Sequence, residues 1–245
     1  MSASPNLHPP SRPRSIVCLS GGMDSCVAAA IAARDSEAYA LHFSYGQRTE
    51  ARELASARAI AQRLGLRDFL HLRIDLFRHI GGSALTDRQI QVPDAAPHLL
   101  QTPAEGQAIP ITYVPFRNAH FLSAAVSWAE VLGAKQVYIG AVEQDSSGYP
   151  DCRPAYYAAF QQVIRTGTRN GDIALLTPLI SLNKAQIVIL GLESKAPLDL
   201  TWSCYREEQQ ACGVCESCVL RLRAFSAAGV PDPIVYAAIA QVPEG

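Results

Sequence analysis

The chain has 245 residues, of which 49% are apolar and 18% charged. That suffices for one large domain with a sizeable core and excludes a disordered chain or a coiled coil. Basic and acidic residues nearly cancel, 21 against 22, which argues against a protein that holds tRNA or DNA by neutralising phosphates.

Residues 1–14 carry Pro5, Pro9, Pro10 and Pro13 and no apolar run. A disordered leader is expected there, not a signal peptide. No stretch approaches the roughly 18 apolar residues of a membrane helix, so no membrane partner is expected and the cytoplasm is the expected compartment. Order is expected from Ser15. Ile16–Leu19 is a continuous apolar run, as in a strand buried on both faces. Asp24–Ala33 is Ala-rich and predicts a helix, and Tyr39–Phe43 a second strand. Thr49–Leu64 predicts a helix with Leu54, Ala57, Ala61 and Leu64 on one stripe and Gly65 as its stop. Phe69–Leu76 is the third expected strand. The alternation predicts an α/β fold, a doubly wound and mostly parallel sheet with helices on both faces.

Residues 77–115 break the rhythm and read as an insertion near a site, in the manner of a lid. Beyond them, Phe121, Ala125, Trp128 and Leu132 keep helical spacing up to Gly133. Gln136–Gly140 predicts a strand, Pro154–Thr166 a helix, Ile173–Leu176 a strand, Asn183–Gly191 a helix and Cys218–Ala228 a last helix.

Several strings between these elements concentrate chemistry. Leu19-Ser20-Gly21-Gly22-Met23-Asp24-Ser25 joins the first strand to the first helix. Its glycines let a ligand approach the backbone, and the helix behind offers unpaired N–H groups and a positive dipole end to phosphate. Ser20 and Ser25 add hydroxyls. Asp24 would repel phosphate unless a cation lies between them; otherwise it can cap the helix. The glycine spacing is that of neither the dinucleotide fingerprint nor the Walker loop. Asp145 to Pro154 follows a strand end, where open α/β sheets bind ligands. Asp145 or Asp151 could serve a purine-like base there and Arg153 a carboxylate; the plainer reading is a solvated turn. In Tyr113-Val114-Pro115-Phe116-Arg117-Asn118, Asn118 is a candidate helix cap and Arg117 a candidate phosphate or carboxylate contact. Tyr45-Gly46-Gln47-Arg48 closes the second strand at the same sheet edge. Lys184 opens a late helix and by position alone reads as a solvated face.

Four of the seven cysteines, Cys204, Cys212, Cys215 and Cys218, crowd into the last fifth of the chain. An odd count clustered in this way argues against a secreted disulfide framework. Four thiolates at this spacing fill the tetrahedral shell of a structural zinc ion; an iron–sulfur cluster is the rival. Cys18, Cys26 and Cys152 stand apart and read as core or site-lining thiols.

The Leu19–Ser25 string resembles the pyrophosphate loop of the ATP pyrophosphatases, which adenylate a carbonyl or carboxyl oxygen. The strings LSGGMDS, YGQR, TYVPFRN, SGYPDCRP, TPL with LNK, and TWSC with CGVCESCVLR, spanning Leu19 to Arg221 in order, resemble the 7-cyano-7-deazaguanine synthase family of the queuosine pathway. The resemblance implies an adenine nucleotide alpha hydrolase-like fold. It implies conversion of 7-carboxy-7-deazaguanine to its nitrile with ATP, Mg²⁺ and free ammonia, through adenylated carboxylate and amide stages. It implies that Leu19, Ser20, Gly21, Gly22, Met23, Asp24 and Ser25 hold ATP, with Asp24, Ser25 and Lys184 catalytic. Lys184 would reach the phosphates, which reverses the reading from position. Arg117, Asp151 and Arg153 would contact the substrate. Cys204, Cys212, Cys215 and Cys218 would hold one structural zinc ion per chain. A homodimer without a nucleic-acid partner is implied as well.

On this reading residues 15–198 form the ATP-binding domain and 199–245 a zinc-binding helical extension. Many members have histidine after YGQR. Here Thr49 stands in that place, so the role of that histidine is open or passes to His42 near the same strand end. Two rivals are a tRNA-modifying adenylase, which the charge balance disfavours, and a zinc-containing binding or defence module, which the intact loop disfavours.

Overall fold

The computed structural model describes residues 12–95, 109–143 and 148–237. Most of the expected leader, residues 96–108 of the expected insertion, residues 144–147 (Asp145 among them) and the last eight residues lie outside these.

Five strands form one sheet: β1 (Arg14–Cys18), β2 (Glu37–Ser44), β3 (Phe69–Arg73), β4 (Gln136–Ile139) and β5 (Ala174–Leu176), in the order β3-β2-β1-β4-β5. Every ladder is parallel, so each return crosses a face of the sheet, mostly through a helix. Helix α1 (Met23–Asp35) joins β1 to β2, and α2 (Glu50–Arg63) joins β2 to β3. A short α3 (Leu76–Ile80) and then α4 (Arg117–Leu132) precede β4. Helix α5 (Pro154–Gly167) leads into β5, and α6 (Lys184–Glu193) and α7 (Glu216–Ala227) follow it.

Side chains alternate across the strands, and both faces are covered. Val17 and Ala40 pack with Val27, Ile60, Ile187 and Phe225 of α1, α2, α6 and α7. Ile16, Cys18 and Leu41 pack with Leu122, Ala129 and Tyr157 of α4 and α5. That double burial is why β1 is apolar at consecutive positions. The sheet is the doubly wound parallel α/β sheet that the sequence predicts. After β3 the chain returns to the far side of β1, so β1 and β4 flank the switch point, where such sheets bind ligands beyond their carboxyl ends.

The third strand stops at Arg73 rather than running to Leu76. Its ladder partner β2 ends at Ser44, opposite Arg73. Ile74 N–H takes the Ser44 carbonyl as its last bond (2.8 Å). With no partner beyond, the chain turns on the Asp75 carbonyl, which accepts from Arg78 N–H, and winds into α3.

The first part of the expected insertion is fastened to the cysteine-bearing segment. Ala84 and Val92 pack with Trp202, Cys204, Ala211, Cys215 and Cys218, and Ala95 N–H donates to Val214 O (2.9 Å). Arg48 fixes it from the other side, donating to the carbonyls of Ala84, Asp87 and Ile90. No helix among the described residues is long and apolar enough to cross a membrane.

Candidate active site

A cavity of about 290 Å³ opens at the switch point, the low end of the range for small-molecule sites. The loop between β1 and α1 forms one wall. Gly21 has φ +93°, and a Cβ there would lie 2.4 Å from Glu53 O, so only glycine lets the loop rest on α2. Ser20 Oγ donates to Ser25 Oγ (2.9 Å) and accepts from Gly22 N–H (3.2 Å), which ties the loop to the first turn of α1. That turn starts at Gly22 without a side-chain cap, so its leading N–H groups have no partner within the helix. Asp24 does not cap α1.

Instead, Asp24 Oδ2 accepts from Lys184 Nζ at 2.6 Å across the cavity. Lys184 is placed by a capping box: Asn183 Oδ1 accepts from Gln186 N–H while the Gln186 side chain accepts from Asn183 N–H. The second oxygen, Asp24 Oδ1, is buried without a hydrogen-bond partner among the described residues. An orphaned carboxylate oxygen beside a phosphate-type loop is a fitting donor for a hard cation such as Mg²⁺. Gly140, just past β4, makes the close approach possible, because a Cβ there would meet the Asp24 carbonyl at 2.7 Å and Ser25 N at 2.8 Å. Gly140→Ala is therefore expected to displace the start of α1. Stability should fall by about 1–3 kcal/mol and turnover by a larger factor than stability, as measured by thermal melting alongside kcat.

The opposite wall is aromatic and cationic. Arg117 Nη1 donates to Tyr45 Oη (2.8 Å), and its guanidinium lies over the rings of Tyr45 and Phe121. Burial alone would lower the Arg117 pKa, but Tyr45, Tyr149, Asp151 and Cys152 around it hold it up. Phe116, just before it, takes a left-handed φ of +56°, a strained conformation for a bulky residue that turns the chain into α4.

Asn118 is not the helix cap that its position suggests. It sits inside α4 and donates to Asp151 O (2.9 Å), while its own N–H donates to Asp151 Oδ2 (3.1 Å). Asp151, contributed by the turn Pro150–Cys152, thus serves the start of α4 from outside the helix.

The four cysteine sulfurs lie within 4.8 Å of one another. Cys212 and Cys218 Sγ are 3.9 Å apart, close to the roughly 3.8 Å that tetrahedral zinc–thiolate geometry demands. N–H groups of Arg206, Glu207 and Cys212 donate to Cys204 Sγ, and Cys215 N–H donates to Cys212 Sγ. Hydrogen bonds from Cys215 and Cys218 push the Cys204 thiol down, and those with Cys204 and Cys215 push the Cys218 thiol up. Sulfurs this close cannot all ionise without a cation among them, so the donor set fits a metal.

The family model described as queuosine biosynthesis protein QueC matches residues 14–229. The chain belongs to the QueC family. It is 71% identical to the 7-cyano-7-deazaguanine synthase of Acidobacterium capsulatum, over 93% of this chain and 98% of that one. It is 60% identical to the synthase of Koribacter versatilis, over 91% and 93%, and 52% identical to that of Chlorobium phaeobacteroides, over 91% and 96%. Among solved structures, NMN synthetase from Francisella tularensis overlays with a TM-score of 0.44 at 14% identity, covering 89% of this chain and 87% of that chain. The chain is thus an enzyme, a 7-cyano-7-deazaguanine synthase of queuosine biosynthesis.

Within this QueC family member, Leu19, Ser20, Gly22, Met23, Asp24, Ser25, Lys184 and Arg117 share the cavity lining. Gly21 and Asp151 are not in the lining, though Asp151 is hydrogen-bonded to Asn118, which is. Arg153 is exposed at the N-cap of α5 and is not brought into the lining. Cys18 and Cys152 line the cavity, and Cys26 belongs to the core. Glu53, Gly140, Tyr149 and Trp202 also line it. Tyr149 and Trp202 lie in the SGYPDCRP and TWSC strings and Gly140 ends the predicted strand, whereas Glu53 carried no signal in the sequence.

His42 does not reach the cavity. It is fully buried on β2 against Phe69 and His71, and its Nδ1 meets Leu19 O at 2.9 Å. Its Nε2 has no partner among the described residues. Burial above all pushes its pKa from 6.5 down to about 4, against the raising effect of the Leu19 bond. The folded state thus resists a proton that the unfolded state takes up. The stabilisation is complete above pH 6.5 and is lost as pH falls towards about 4, by roughly 3 kcal/mol in all. Urea midpoints across that window should fall more steeply for the native chain than for His42→Gln; equal slopes would count against a buried neutral imidazole.

Proposed function

We propose that the chain converts 7-carboxy-7-deazaguanine and ammonia to 7-cyano-7-deazaguanine in two ATP-consuming stages. The observation that carries this reading is the orphaned Asp24 Oδ1 beside Lys184 and the α1 N-terminus, in a cavity at the sheet's switch point. In the first stage a carboxylate oxygen of the substrate attacks the α-phosphorus of ATP, and pyrophosphate leaves. Ammonia then adds to the acyl carbon, loses a proton and expels AMP, leaving the amide. In the second stage the amide oxygen attacks another ATP in the same way. The C–O bond then breaks with AMP as leaving group, the nitrogen gives up its protons, and the nitrile remains.

Leu19, Ser20, Gly21, Gly22, Met23 and Ser25 are assigned to the phosphates, which they meet with N–H groups and hydroxyls. Lys184 holds negative charge on the departing pyrophosphate. Asp24 would hold Mg²⁺, which when bound supplies neutralisation of phosphate charge. Arg117 contacts the substrate, and Asp151 fixes the α4 end that bears Arg117; Arg153, exposed outside the cavity lining, is assigned no contact. Cys204, Cys212, Cys215 and Cys218 hold zinc as a structural ion. The same reading divides the chain into an ATP-binding domain over residues 15–198 and an extension over 199–245. It carries a cytoplasmic homodimer without a nucleic-acid partner, which suits seven unpaired thiols and a balanced charge.

Purified protein given ATP, ammonia and 7-carboxy-7-deazaguanine should form AMP and nitrile in a two-to-one ratio, read by mass spectrometry. Absence of both products would sink the assignment.

A further inference from the structure

Glu53 stands in the first turns of α2 and lines the cavity, yet none of the steps above uses it. Its carboxylate is fixed from two sides. Thr49 Oγ1 donates to Oε1 at 2.7 Å, and Gln47 Nε2 donates to Oε2 at 3.1 Å. Gln47 is itself locked, since its Oε1 accepts from Tyr45 N–H (2.8 Å) and its Nε2 also reaches Phe43 O (3.3 Å). Each carboxylate oxygen thus has one donor and keeps one lone pair free. Glu53 makes no salt bridge among the described residues. Burial pushes its carboxyl pKa up, and the Thr49 and Gln47 bonds offset that only in part. A preorganised, half-buried carboxylate with two open acceptor positions calls for a ligand that brings two adjacent donors.

We propose that Glu53 is the specificity-determining residue for the purine-like base, accepting from its N1–H and 2-amino groups as a bidentate pair. This rests on the substrate assignment above. A 7-deazaguanine offers those two donors side by side on its six-membered ring. Its 7-substituent lies at the other end of the bicycle, so a base held at this edge keeps its carboxylate free to meet ATP. The flat Phe43–Phe121 stack (centroids 4.1 Å apart) and the Tyr45 ring line the same cavity and suit an aromatic ligand. An adenine-type edge presents an acceptor at N1, which an ionised Glu53 would repel. The site therefore selects guanine-like over adenine-like bases.

The test uses the full-length, metal-loaded enzyme and equilibrium binding of 7-carboxy-7-deazaguanine in the absence of ATP. Its analogue without the 2-amino group is the second probe. The native enzyme should bind the analogue at least about 30-fold more weakly. Glu53→Gln should weaken binding of the true substrate by a similar factor and bind the two ligands almost equally, with the KM for ATP unchanged. Thermal melting confirms that the variant is folded, and the native enzyme's discrimination is decisive even where it is not. Equal binding of both ligands by the native enzyme would overturn the proposal. So would a variant that keeps full discrimination, or one whose kcat falls and loses its acidic pH limb while binding is unchanged, since that marks a proton acceptor. A native enzyme that binds the substrate but forms no nitrile would break the assigned reaction while leaving the base-reading test intact.

Discussion

Asp24→Ala is expected to lower turnover by about 10³-fold or more while leaving the fold in place. The asymmetry follows from where the carboxylate sits. One oxygen is paired to Lys184 at 2.6 Å, and the other is buried with no hydrogen-bond partner among the described residues. A carboxylate that served only stability would have both oxygens satisfied, because an unmet buried acceptor is costly. The side chain remains 27% exposed, so the pair itself contributes little to stability once solvent screening is allowed for. Its charge at the start of α1 adds about 0.3–1 kcal/mol. Melting should therefore shift by only a few degrees, while AMP formation collapses. Asp24→Asn sharpens the test because it keeps the shape and removes the charge. If the charge holds a cation against the phosphates, the asparagine variant should be as inactive as the alanine one. An asparagine variant with a tenth or more of native activity would remove Asp24 from that role.

The residues that could be read from the sequence are those whose chemistry needs a contiguous stretch of backbone. A loop suited to phosphate must be short, glycine-rich and placed between a strand and a helix, so Leu19–Ser25 stands out as a candidate. The four cysteines likewise cluster, because one loop and one helix start bring all four sulfurs together. The doubly buried strands were legible for a related reason: β1 has helices on both faces and cannot alternate. Other members of the site were hidden because tertiary packing alone assembles them. Glu53 sits in a helix whose apolar stripe explains its neighbours, and the close approach of Gly21 to Glu53 O brings that helix to the loop. Asn118 precedes an apolar helix as a cap would. Asp151, more than thirty residues later, takes over the capping and turns Asn118 inward. Arg153 follows the same logic in reverse: its string placed it near the site, yet it became the exposed N-cap of α5. Arg48 lies in a string that closes β2, but its guanidinium is consumed by three carbonyls of the 77–95 segment.

Cys215→Ser is expected to cost both metal and fold. Cys215 is fully buried, and it is also the N-cap of α7, with its carbonyl accepting from Val219 N–H. Its backbone pairs with Asp94, so one residue joins the cysteine cluster, the last helix and the first part of the insertion. Serine keeps the size but binds zinc poorly, and the three remaining sulfurs then face one another without a full shell. Structural zinc sites contribute folding energy directly, so loss of several kcal/mol should lower the melting temperature by about 10 °C or more. The effect should spread to catalysis, because Trp202 N–H donates to Gly21 O (2.9 Å), and the Thr49 hydroxyl, whose proton goes to Glu53, lies 3.3 Å from Cys204 O. Through these contacts the cysteine-bearing segment holds the phosphate loop and the start of α2. Metal content by elemental analysis, read beside melting curves with and without a chelator, tests the argument. Chelation of the native enzyme should reproduce the variant's melting temperature and its weakened ATP binding. A stable, metal-free, active Cys215→Ser enzyme would remove the structural role. Stoichiometric iron with absorbance near about 400 nm would replace zinc by an iron–sulfur cluster, but the same contacts would still couple that cluster to the loop.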